Sequence, residues 1–452
     1  MDRKLPPSAI RYLSYHLGHH YSGPDLNSIL VTEEKETDAA SFCMPQSGLP
    51  LDTEKVFFIE EVPVLFPLSR SKAWYAVKEK GIRFNHDILK SAFYLLSGIQ
   101  EYLDYMPDTH GRFPWHESIQ YRLGFTGKPV VNYYFEIILD ALETYCSLNH
   151  LPFKRVKLEQ PVLLLSHDVD RIRKYSLREL VYVGLQLAGL KPSGRSFAKK
   201  WRSFLFYARG TFLFRKDPYW NFEDLLAMEK EYRISSSWYF LEKTGNGNSR
   251  YHFGDPKIAV LLRQIKQPEH EIGIHGTRES STDILAMAEG IKRLNRVTAH
   301  PVSGIRQHFL KFNIRTTPGI QISAGLTYDT TLGFAECIGF RNSYAFPFRL
   351  YDFHEHRPMD IWQIPLNVMD TTLLEYMSVP VESLMEAIQP VLTEVSRFHG
   401  LFSLLWHNST LDEEEYRGVG PKYRQILEHL TAAGFKSFTG AQMVSRWKTM
   451  EA

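Results

Sequence analysis

The stretch "PVLLLSHDVDRIRKYS" (residues 161–176) decides the fold that we expect for most of this chain. Its apolar run leads directly into His167, Asp168 and Asp170, after which the chain becomes strongly basic. A short, continuous apolar run of this kind is typical of a buried strand in a parallel sheet. Carboxylates at the tip of such a strand are costly to bury, so we expect a basic side chain or a metal ion to compensate them.

Seven further strand candidates follow this stretch, and amphipathic helical segments lie between most of them, for example at 221–233 and 281–297. The candidates are residues 235–241, 271–275, 302–308, 326–332, 361–366, 401–407 and 436–440. Strands that alternate with helices predict an α/β fold with a parallel sheet. Eight such units favour a parallel (β/α) barrel over an open sheet, and barrels carry their chemistry at the carboxyl ends of the strands.

The residues before this region predict a second, smaller domain. A short apolar strand candidate, "KVFFIEE" (55–61), alternates with helical segments at 86–106 and 129–148. The polar stretch around 150–158 then precedes the first barrel strand. We therefore expect an α+β or α/β domain over residues 1–155 and the barrel over residues 156–452.

The composition limits the classes of function. The 452 residues are 44% hydrophobic and 23% charged with a net charge of +2, which is typical of a soluble protein without a general affinity for polyanions. The chain has three cysteines, no signal-peptide pattern at its start and no apolar run long enough to span a membrane. We expect a cytoplasmic protein, and no motif predicts nucleic acid as a partner.

Polar side chains gather where the predicted strands end. They are His167, Asp168 and Asp170 after the first strand, His275 and Glu279 after the third, Arg306, Gln307 and His308 at the fourth, and Trp406, His407 and Asn408 at the seventh. A single histidine at a strand end is more often a satisfied structural residue. Carboxylate and imidazole groups at four strand ends together predict a nitrogen and oxygen ligand set for a divalent metal such as zinc.

Four motifs in this order resemble the polysaccharide deacetylase superfamily over about residues 158–445. They are "SHDVD" (166–170), "EIGIHGTRESS" (271–281), "GIRQHFLKF" (304–312) and "LFSLLWHN" (401–408). The resemblance is to the "HDVD" branch that is encoded in bacterial surface-polysaccharide clusters. Residues 86–118 resemble the accessory domain often fused to that branch. The resemblance implies a distorted (β/α)7–8 barrel and a metal-dependent carbohydrate deacetylase.

The resemblance also implies a role for each matching residue. Asp168 would be the general base that takes a proton from the attacking water, and His407 the general acid that protonates the leaving amine. Asp170 and His275 would bind the metal. Arg306 would pair with Asp168 and hold it ionised.

One position departs from the family pattern. Glu279 stands where the family has its second metal-binding histidine. Glutamate can bind zinc, so Asp170, His275 and Glu279 form one expected ligand set, and His308 is the alternative third ligand. Zinc is the expected metal, with cobalt, nickel and manganese as alternatives. A site that binds metal weakly or not at all stays open.

These expectations define three functional hypotheses. The first is a hydrolase that removes acetyl groups from N-acetylated sugars during surface-polysaccharide or lipopolysaccharide biosynthesis. The second is a catalytically weak barrel that binds carbohydrate or acts as a scaffold. The third keeps the chemistry and changes the substrate to another amide or to an O-acetyl ester.

Outside the motifs, we interpret four residues as candidate substrate contacts. Arg341 and Tyr344 lie in an aromatic stretch that suits a sugar-binding cleft, or that packs a long loop. Asp370 follows a strand and is expected to orient a catalytic group, or to cap a helix. Trp406 precedes His407 at the end of the seventh strand.

The basic segment 171–216 is interpreted as an insert after the first strand. It contains twelve Lys and Arg residues, one glutamate and Trp201. Basic amphipathic segments contact membrane surfaces, and a lipid-linked glycan at the inner leaflet would fit both the membrane and the chemistry. A helical excursion with a solvated basic face is the alternative. The expected location is therefore the cytoplasm, with peripheral contact at the inner membrane face as the variant.

Overall fold

The computed structural model describes residues 3–32, 41–194, 196–213, 216–244, 249–266 and 269–450. Its N-terminal part mixes helices with short strands. The helices are α1 (Pro7–Leu17), α2 (Leu26–Ile29), α3 (Ile88–Leu96), α4 (Ile119–Arg122) and α5 (Val130–Leu148). The strands are β1 (Tyr21–Ser22), β2 (Leu30–Val31), β3 (Phe42–Cys43), β4 (Phe57–Ile59), β5 (Val62–Val64), β6 (Tyr75–Lys78), β7 (Gly81–Phe84) and β8 (Lys154–Arg155).

The rest of the chain alternates strands and helices. Its strands are β9 (Val162–Val169), β10 (Ser236–Phe240), β11 (His270–Gly276), β12 (Gly304–Gln307), β13 (Tyr328–Asp329), β14 (Phe348–Asp352), β15 (Arg357–Gln363), β16 (Val368–Met369), β17 (Leu401–Leu405) and β18 (Lys436–Ser437). Its helices are α6 (Leu177–Leu187), α7 (Phe197–Phe212), α8 (Phe222–Glu231), α9 (Pro256–Ile265), α10 (Ile284–Thr298), α11 (Thr317–Ser323), α12 (Leu384–Phe398), α13 (Val419–Ala432) and α14 (Gly440–Thr449).

These ten strands form one sheet, in the order β14-β15-β13-β12-β11-β10-β9-β17-β16, with β18 beside β9. Every neighbouring pair is parallel except β14 with β15. β9 has strands on both sides, and all of its residues are buried, which explains its uninterrupted apolar sequence.

The segment from β15 to β16 curls the sheet. β15 pairs with β13, whereas β16 pairs with β17 at the other end of the order. Between them, the backbone N–H of Ile364 donates to Asp329 O and that of Leu366 donates to Leu332 O. The result is a curled, helix-flanked sheet that is consistent with the expected distorted barrel. The count of seven or eight units stays an expectation.

Each of the eight strand candidates overlaps an observed strand, but the antiparallel strand β14 and the two-residue strand β16 were not predicted. β14 lies just after the aromatic stretch that was interpreted as a loop or cleft wall. It joins β15 through a turn without glycine or asparagine, and His356 in that turn takes a left-handed conformation with φ 54°. Because the usual hairpin residues are missing, the sequence carries no local signal for this strand pair.

The N-terminal part and the curled sheet share an apolar core. One cluster of buried side chains includes Tyr12 of α1 and Phe93 of α3 together with Tyr351 of β14, Trp362 of β15 and Trp447 of α14. The ring centroids of Tyr12 and Tyr351 are 5.3 Å apart, and the Tyr12 hydroxyl donates to Arg349 O at 2.7 Å. The core therefore crosses the expected boundary at residue 155, and the boundary itself stays a prediction.

No helix within the described ranges is both long enough and apolar enough to cross a bilayer.

Candidate functional site

The alternation of β9 separates its polar residues onto two faces. Asp168 and Asp170 are two residues apart and share one face, whereas His167 points to the other. His167 lies 2.7 Å from Trp406 O through Nδ1 and 2.7 Å from the Glu229 carboxylate through Nε2, and all of these groups are buried. His167, which the sequence left without a role, therefore belongs to a buried structural network away from the two aspartates.

Asp170, His275 and His308 form the group that could hold a metal ion, with one ligand atom of each within 4.8 Å of the others. Asp170 Oδ1 lies 3.2 Å from His275 Nε2 and 3.3 Å from His308 Nδ1. The two imidazole nitrogens are 3.2 Å apart. Three different segments supply these side chains: the end of β9, the end of β11 and the turn after β12.

The donor set fits a divalent cation. Asp170 Oδ1 is buried and accepts no hydrogen bond within the described part of the chain. Burial raises the pKa of Asp170, but the nearby imidazoles of His308 and His275 outweigh it, so the pKa lies well below its usual value. An ionised buried oxygen beside two imidazoles is a nitrogen and oxygen ligand set of the kind that zinc and its neighbours prefer.

The backbone fixes the orientation of His275. Its Nδ1 donates to the carbonyl of Arg306 at 2.8 Å, because a carbonyl oxygen can only accept. That bond turns Nε2 toward Asp170 and selects the tautomer in which Nε2 can bind a metal. Burial lowers the pKa of His275, but the charges of Asp168 and Asp170 outweigh it and raise the pKa above its usual value.

Asp168 forms a buried ion pair with Arg306. The guanidinium Nη1 donates to Asp168 Oδ1 at 2.9 Å, and both side chains are buried. Arg306 is held further by a bond from Nε to Thr330 O and by the ring of Tyr239, 4.8 Å from the guanidinium carbon. The ion pair compensates the buried charge of Asp168 at the end of β9. The second carboxylate oxygen of Asp168, Oδ2, lies 3.7 Å from His275 Nε2.

His407 lies on the other side of Asp170 and is fixed by Asp370. His407 Nδ1 donates to Asp370 Oδ1 at 2.7 Å, and the backbone N–H of His407 donates to Oδ2 at 2.7 Å. His407 Nε2 is 3.9 Å from Asp170 Oδ2. Burial lowers the pKa of His407, but the charge and hydrogen bond of Asp370, followed by Asp170 and Asp168, outweigh it and raise the pKa to about 10. The imidazole is therefore protonated at neutral pH.

These side chains line one cavity of about 150 Å³. Its walls are formed by Arg112, Asp168, Asp170, His275, Gln307, His308, Phe309, Leu310, Met369, Thr371, Glu375, Tyr376 and His407. The volume has room for several water molecules, and both polar and apolar side chains line it. The structure thus brings Asp168, Asp170, His275, His308 and His407 together around a single space.

Arg112, Phe309 and Tyr376 are among the side chains of this cavity that sequence reasoning missed. Arg112 comes from the N-terminal part of the chain and donates to Phe309 O at 3.1 Å. Phe309 and Tyr376 are both exposed beside it. Phe309 and Leu310 have left-handed backbones with φ 60° and 52°, strain that is common at functional sites. Arg112 lies in the stretch 86–118 that resembles the accessory domain, and only the tertiary structure brings it to the cavity.

Glu279 does not belong to the group around Asp170, contrary to the first expected ligand set. It lies exposed on the turn after β11, where its carbonyl accepts from the backbone N–H groups of Thr282 and Asp283. His308 of the neighbouring strand end lies beside Asp170 instead.

Three expected substrate contacts are corrected because their side chains are buried away from the cavity. Arg341 forms a buried ion pair with Glu101, with nitrogen to oxygen distances of 2.7 and 2.8 Å. Tyr344 is buried with its hydroxyl 2.7 Å from His20 Nε2. Trp406 is buried, and its ring centroid is 4.6 Å from that of Tyr423. Each aromatic or cationic group serves the core rather than a cleft.

Asp370 is also buried and does not line the cavity, but it touches His407 directly. Asp370 therefore fixes the position of His407, and its role toward a catalytic group stays a prediction.

Comparisons with known proteins give one family and several solved structures. Residues 10–147 match a family of unknown function (DUF7033). No curated protein matches the chain. A structure from Mycobacterium smegmatis, assigned as a polysaccharide deacetylase, is 17% identical with a TM-score of 0.43 and covers 66% of this chain and 94% of its own. An allantoinase is 13% identical with a TM-score of 0.43 and covers 64% of this chain and 90% of its own.

A third structure, from Pseudomonas aeruginosa and also assigned as a polysaccharide deacetylase, is 12% identical with a TM-score of 0.42, covering 63% and 90%. The likenesses are distant, so the functional argument depends on the side chains of this chain.

Proposed function

We propose that the protein is a metal-dependent hydrolase that removes acetyl groups from N-acetylated sugars, and that it acts in the assembly of a surface polysaccharide or lipopolysaccharide. The observation that carries the proposal is the arrangement around Asp170. The carboxylate of Asp170 faces the imidazoles of His275 and His308. The carboxylate of Asp168 and the protonated imidazole of His407 line the same cavity. A binding module needs no such set of acid and base groups.

Asp170, His275 and His308 would hold the metal. Bound there, a divalent cation supplies Lewis acidity, which polarises a carbonyl oxygen and lowers the pKa of water. His308 replaces Glu279 as the proposed third ligand because its Nδ1 already faces Asp170 Oδ1 at 3.3 Å. The hypothesis of a degenerate site depended on Glu279, and the choice of His308 as third ligand would remove that reason for it.

The proton transfers can be assigned to two side chains. Asp168, which is paired with Arg306, accepts a proton from the water that attacks the acetamide carbonyl carbon. His407 is protonated at neutral pH, and with Nδ1 bound to Asp370 it donates its Nε2 proton to the sugar nitrogen as the C–N bond breaks. The products are acetate and a free amino sugar.

The cavity mouth suits a sugar. Phe309 and Tyr376 offer exposed aromatic faces, and the Arg112 guanidinium lies between them, 5.8 Å from the Tyr376 ring centroid and bonded to Phe309 O. Aromatic surface with a few fixed polar groups is typical of a site that orients a small polar ligand.

Metal analysis and acetate release test the proposal together. We expect the wild-type protein, reconstituted with zinc, to bind about one equivalent of metal and to release acetate from an N-acetylated oligosaccharide. Asp170→Ala and His308→Ala should lose both properties. Asp168→Asn should keep the metal and lose acetate release, because it removes only the base.

Glu279→Ala is the matched control and should keep both metal and activity. A wild-type protein that binds no divalent metal after reconstitution would contradict the proposal. A metal site that Glu279→Ala empties and His308→Ala leaves full would contradict the ligand assignment. Acetate release from an O-acetylated sugar but not from its N-acetylated counterpart would assign an esterase instead.

A further inference from the structure

The helical hairpin of α6 and α7 has almost no buried side chains. Only Val183 of α6 is buried, and α7 has no buried residue. Even so, nine of the 23 exposed large apolar side chains in the described part of the chain lie between Leu177 and Leu213. A soluble surface rarely carries so much apolar area on one excursion without a binding partner.

The exposed apolar side chains of α7 form a stripe. Phe197, Trp201, Leu205 and Phe212 are between 38% and 70% exposed. Their spacing of four, four and seven residues places them on one side of a helix. Ser203, Phe206 and Tyr207 lie on the opposite side, where they line a groove with the loop that contains Glu414. The stripe therefore points away from the barrel.

The hairpin is also strongly basic. Eight Lys and Arg residues between positions 171 and 216 are exposed, among them Arg178 on α6 and Arg209 on α7. The one acidic residue of this segment, Glu179, is already paired with Arg250. Positive charge beside an aromatic and aliphatic stripe matches the surface of an anionic bilayer. A second copy of the chain is a poor partner, because it would place two basic hairpins against each other.

The base of the α6–α7 hairpin is attached close to Asp170, His275 and His308 by buried polar contacts. Lys174, four residues after Asp170, is buried and ion-paired with Asp412. At the far end of the insert, the Asp217 carboxylate accepts from the backbone N–H groups of Lys174 and Tyr175 at 2.8 to 3.0 Å. These bonds join the two ends of the insert directly after β9. A partner surface that binds α6 and α7 would therefore lie at a fixed position relative to the end of β9.

We propose that the α6–α7 hairpin docks this protein on the surface of an anionic lipid bilayer, with the apolar stripe of α7 inserted at the interface and the basic side chains on the lipid headgroups. The inference goes beyond the proposed reaction and does not depend on it, because neither metal nor substrate takes part in the contact.

Sedimentation of the full-length protein with vesicles tests the docking. We expect binding to phosphatidylcholine vesicles that contain phosphatidylglycerol, weaker binding to phosphatidylcholine alone, and loss of the difference at high salt. The variant Phe197→Ser/Trp201→Ser/Leu205→Ser should bind at least roughly tenfold more weakly. Arg178→Glu/Arg209→Glu should lose the preference for anionic vesicles.

A matched control replaces three exposed apolar residues elsewhere, Val260→Ser/Ile284→Ser/Leu285→Ser, and should bind vesicles like the wild type. All variants should release acetate from a soluble substrate as the wild type does, so a failure of docking and a failure of the reaction are distinguishable. Absence of wild-type binding to anionic vesicles at low salt would overturn the docking proposal. A wild-type dimer in light scattering that only the stripe variant dissociates would also overturn it.

Discussion

His407 depends on one carboxylate for both its position and its charge. Asp370 accepts from Nδ1 and from the backbone N–H of His407, and its Oδ2 also accepts from the hydroxyl of Thr410 at 2.5 Å. Because the carboxylate can only accept, it fixes a proton on Nδ1 and leaves the Nε2 proton for the cavity. In the proposed reaction, His407 can act as the general acid only while Nε2 carries its proton.

We expect Asp370→Asn to lower the pKa of His407 in the metal-free protein. The wild-type pKa is raised to about 10, above the value of about 6.5 in an unfolded chain. The charged imidazole therefore stabilises the fold fully below pH 6.5 or so, and this contribution is lost as the pH rises toward 10. An NMR titration of the His407 ring should show a lower midpoint in the variant.

The same variant should lose more free energy of unfolding at pH 6 than at pH 10, relative to the wild type. Thr410→Val, which removes a hydrogen bond to Asp370 but no charge, is the control and should leave the titration midpoint close to that of the wild type. Equal midpoints in Asp370→Asn and the wild type would contradict the role of Asp370.

Strand β12 carries Arg306 and needs glycine at its start for close packing. A Cβ atom on Gly304 would lie 2.0 Å from Cζ of Tyr328, a fully buried ring on the neighbouring strand β13. The hydroxyl of Tyr328 is 3.2 Å from that of Tyr239, whose ring also contacts the Arg306 guanidinium. Packing at Gly304 is thus connected through two tyrosines to the arginine that pairs with Asp168.

Gly304→Ala should lower the free energy of unfolding by about 1–3 kcal/mol, because the methyl group forces the buried Tyr328 ring to move. Urea denaturation measures the change. Gly319→Ala in α11 is the control, since a Cβ there meets nothing within 4 Å. It should raise stability by about 0.5–1 kcal/mol, as expected for alanine in a helix. Equal stability of Gly304→Ala and the wild type would contradict the packing argument.

The order of secondary-structure elements in the curled-sheet part of the chain could be predicted because its strands carry their own signal. The apolar run of β9 and the helices α8 and α10 were predicted close to their observed bounds. β14 was missed because its turn lacks the usual residues, and the two-residue strand β16 is too short to give a pattern. Short strands form through pairing with neighbours that are distant in sequence, so their formation depends on tertiary contacts.

The N-terminal part and the barrel are joined by buried polar contacts as well as by the shared core. Glu101, in the turn after α3, pairs with Arg341, and both side chains are 2% exposed. Arg341 also donates to Gly333 O at 3.1 Å. Removing one partner of such a pair leaves an uncompensated buried charge, which costs far more than the pair contributes.

Glu101→Ala should lower the free energy of unfolding by about 3–5 kcal/mol. Glu117→Ala, which breaks the exposed pair with Arg122, is the control and should cost about 0–1 kcal/mol. Thermal and urea unfolding measure both changes. If the double variant Glu101→Leu/Arg341→Met is less stable than Glu101→Ala, the uncompensated charge is not the cause.

The sequence by itself determined the alternation of strands and helices, the polar tips of β9, β11 and β12, and the resemblance that connected them. Local patterns carry this information, because the apolar period and the residues that follow a strand are properties of neighbouring positions. The tertiary structure decided which of those side chains meet. It placed His308 beside Asp170 and Glu279 in solvent, took Arg341 into a buried ion pair, and brought Arg112 to the cavity. Contacts between segments that are distant in sequence follow from packing, and packing leaves no local pattern to read.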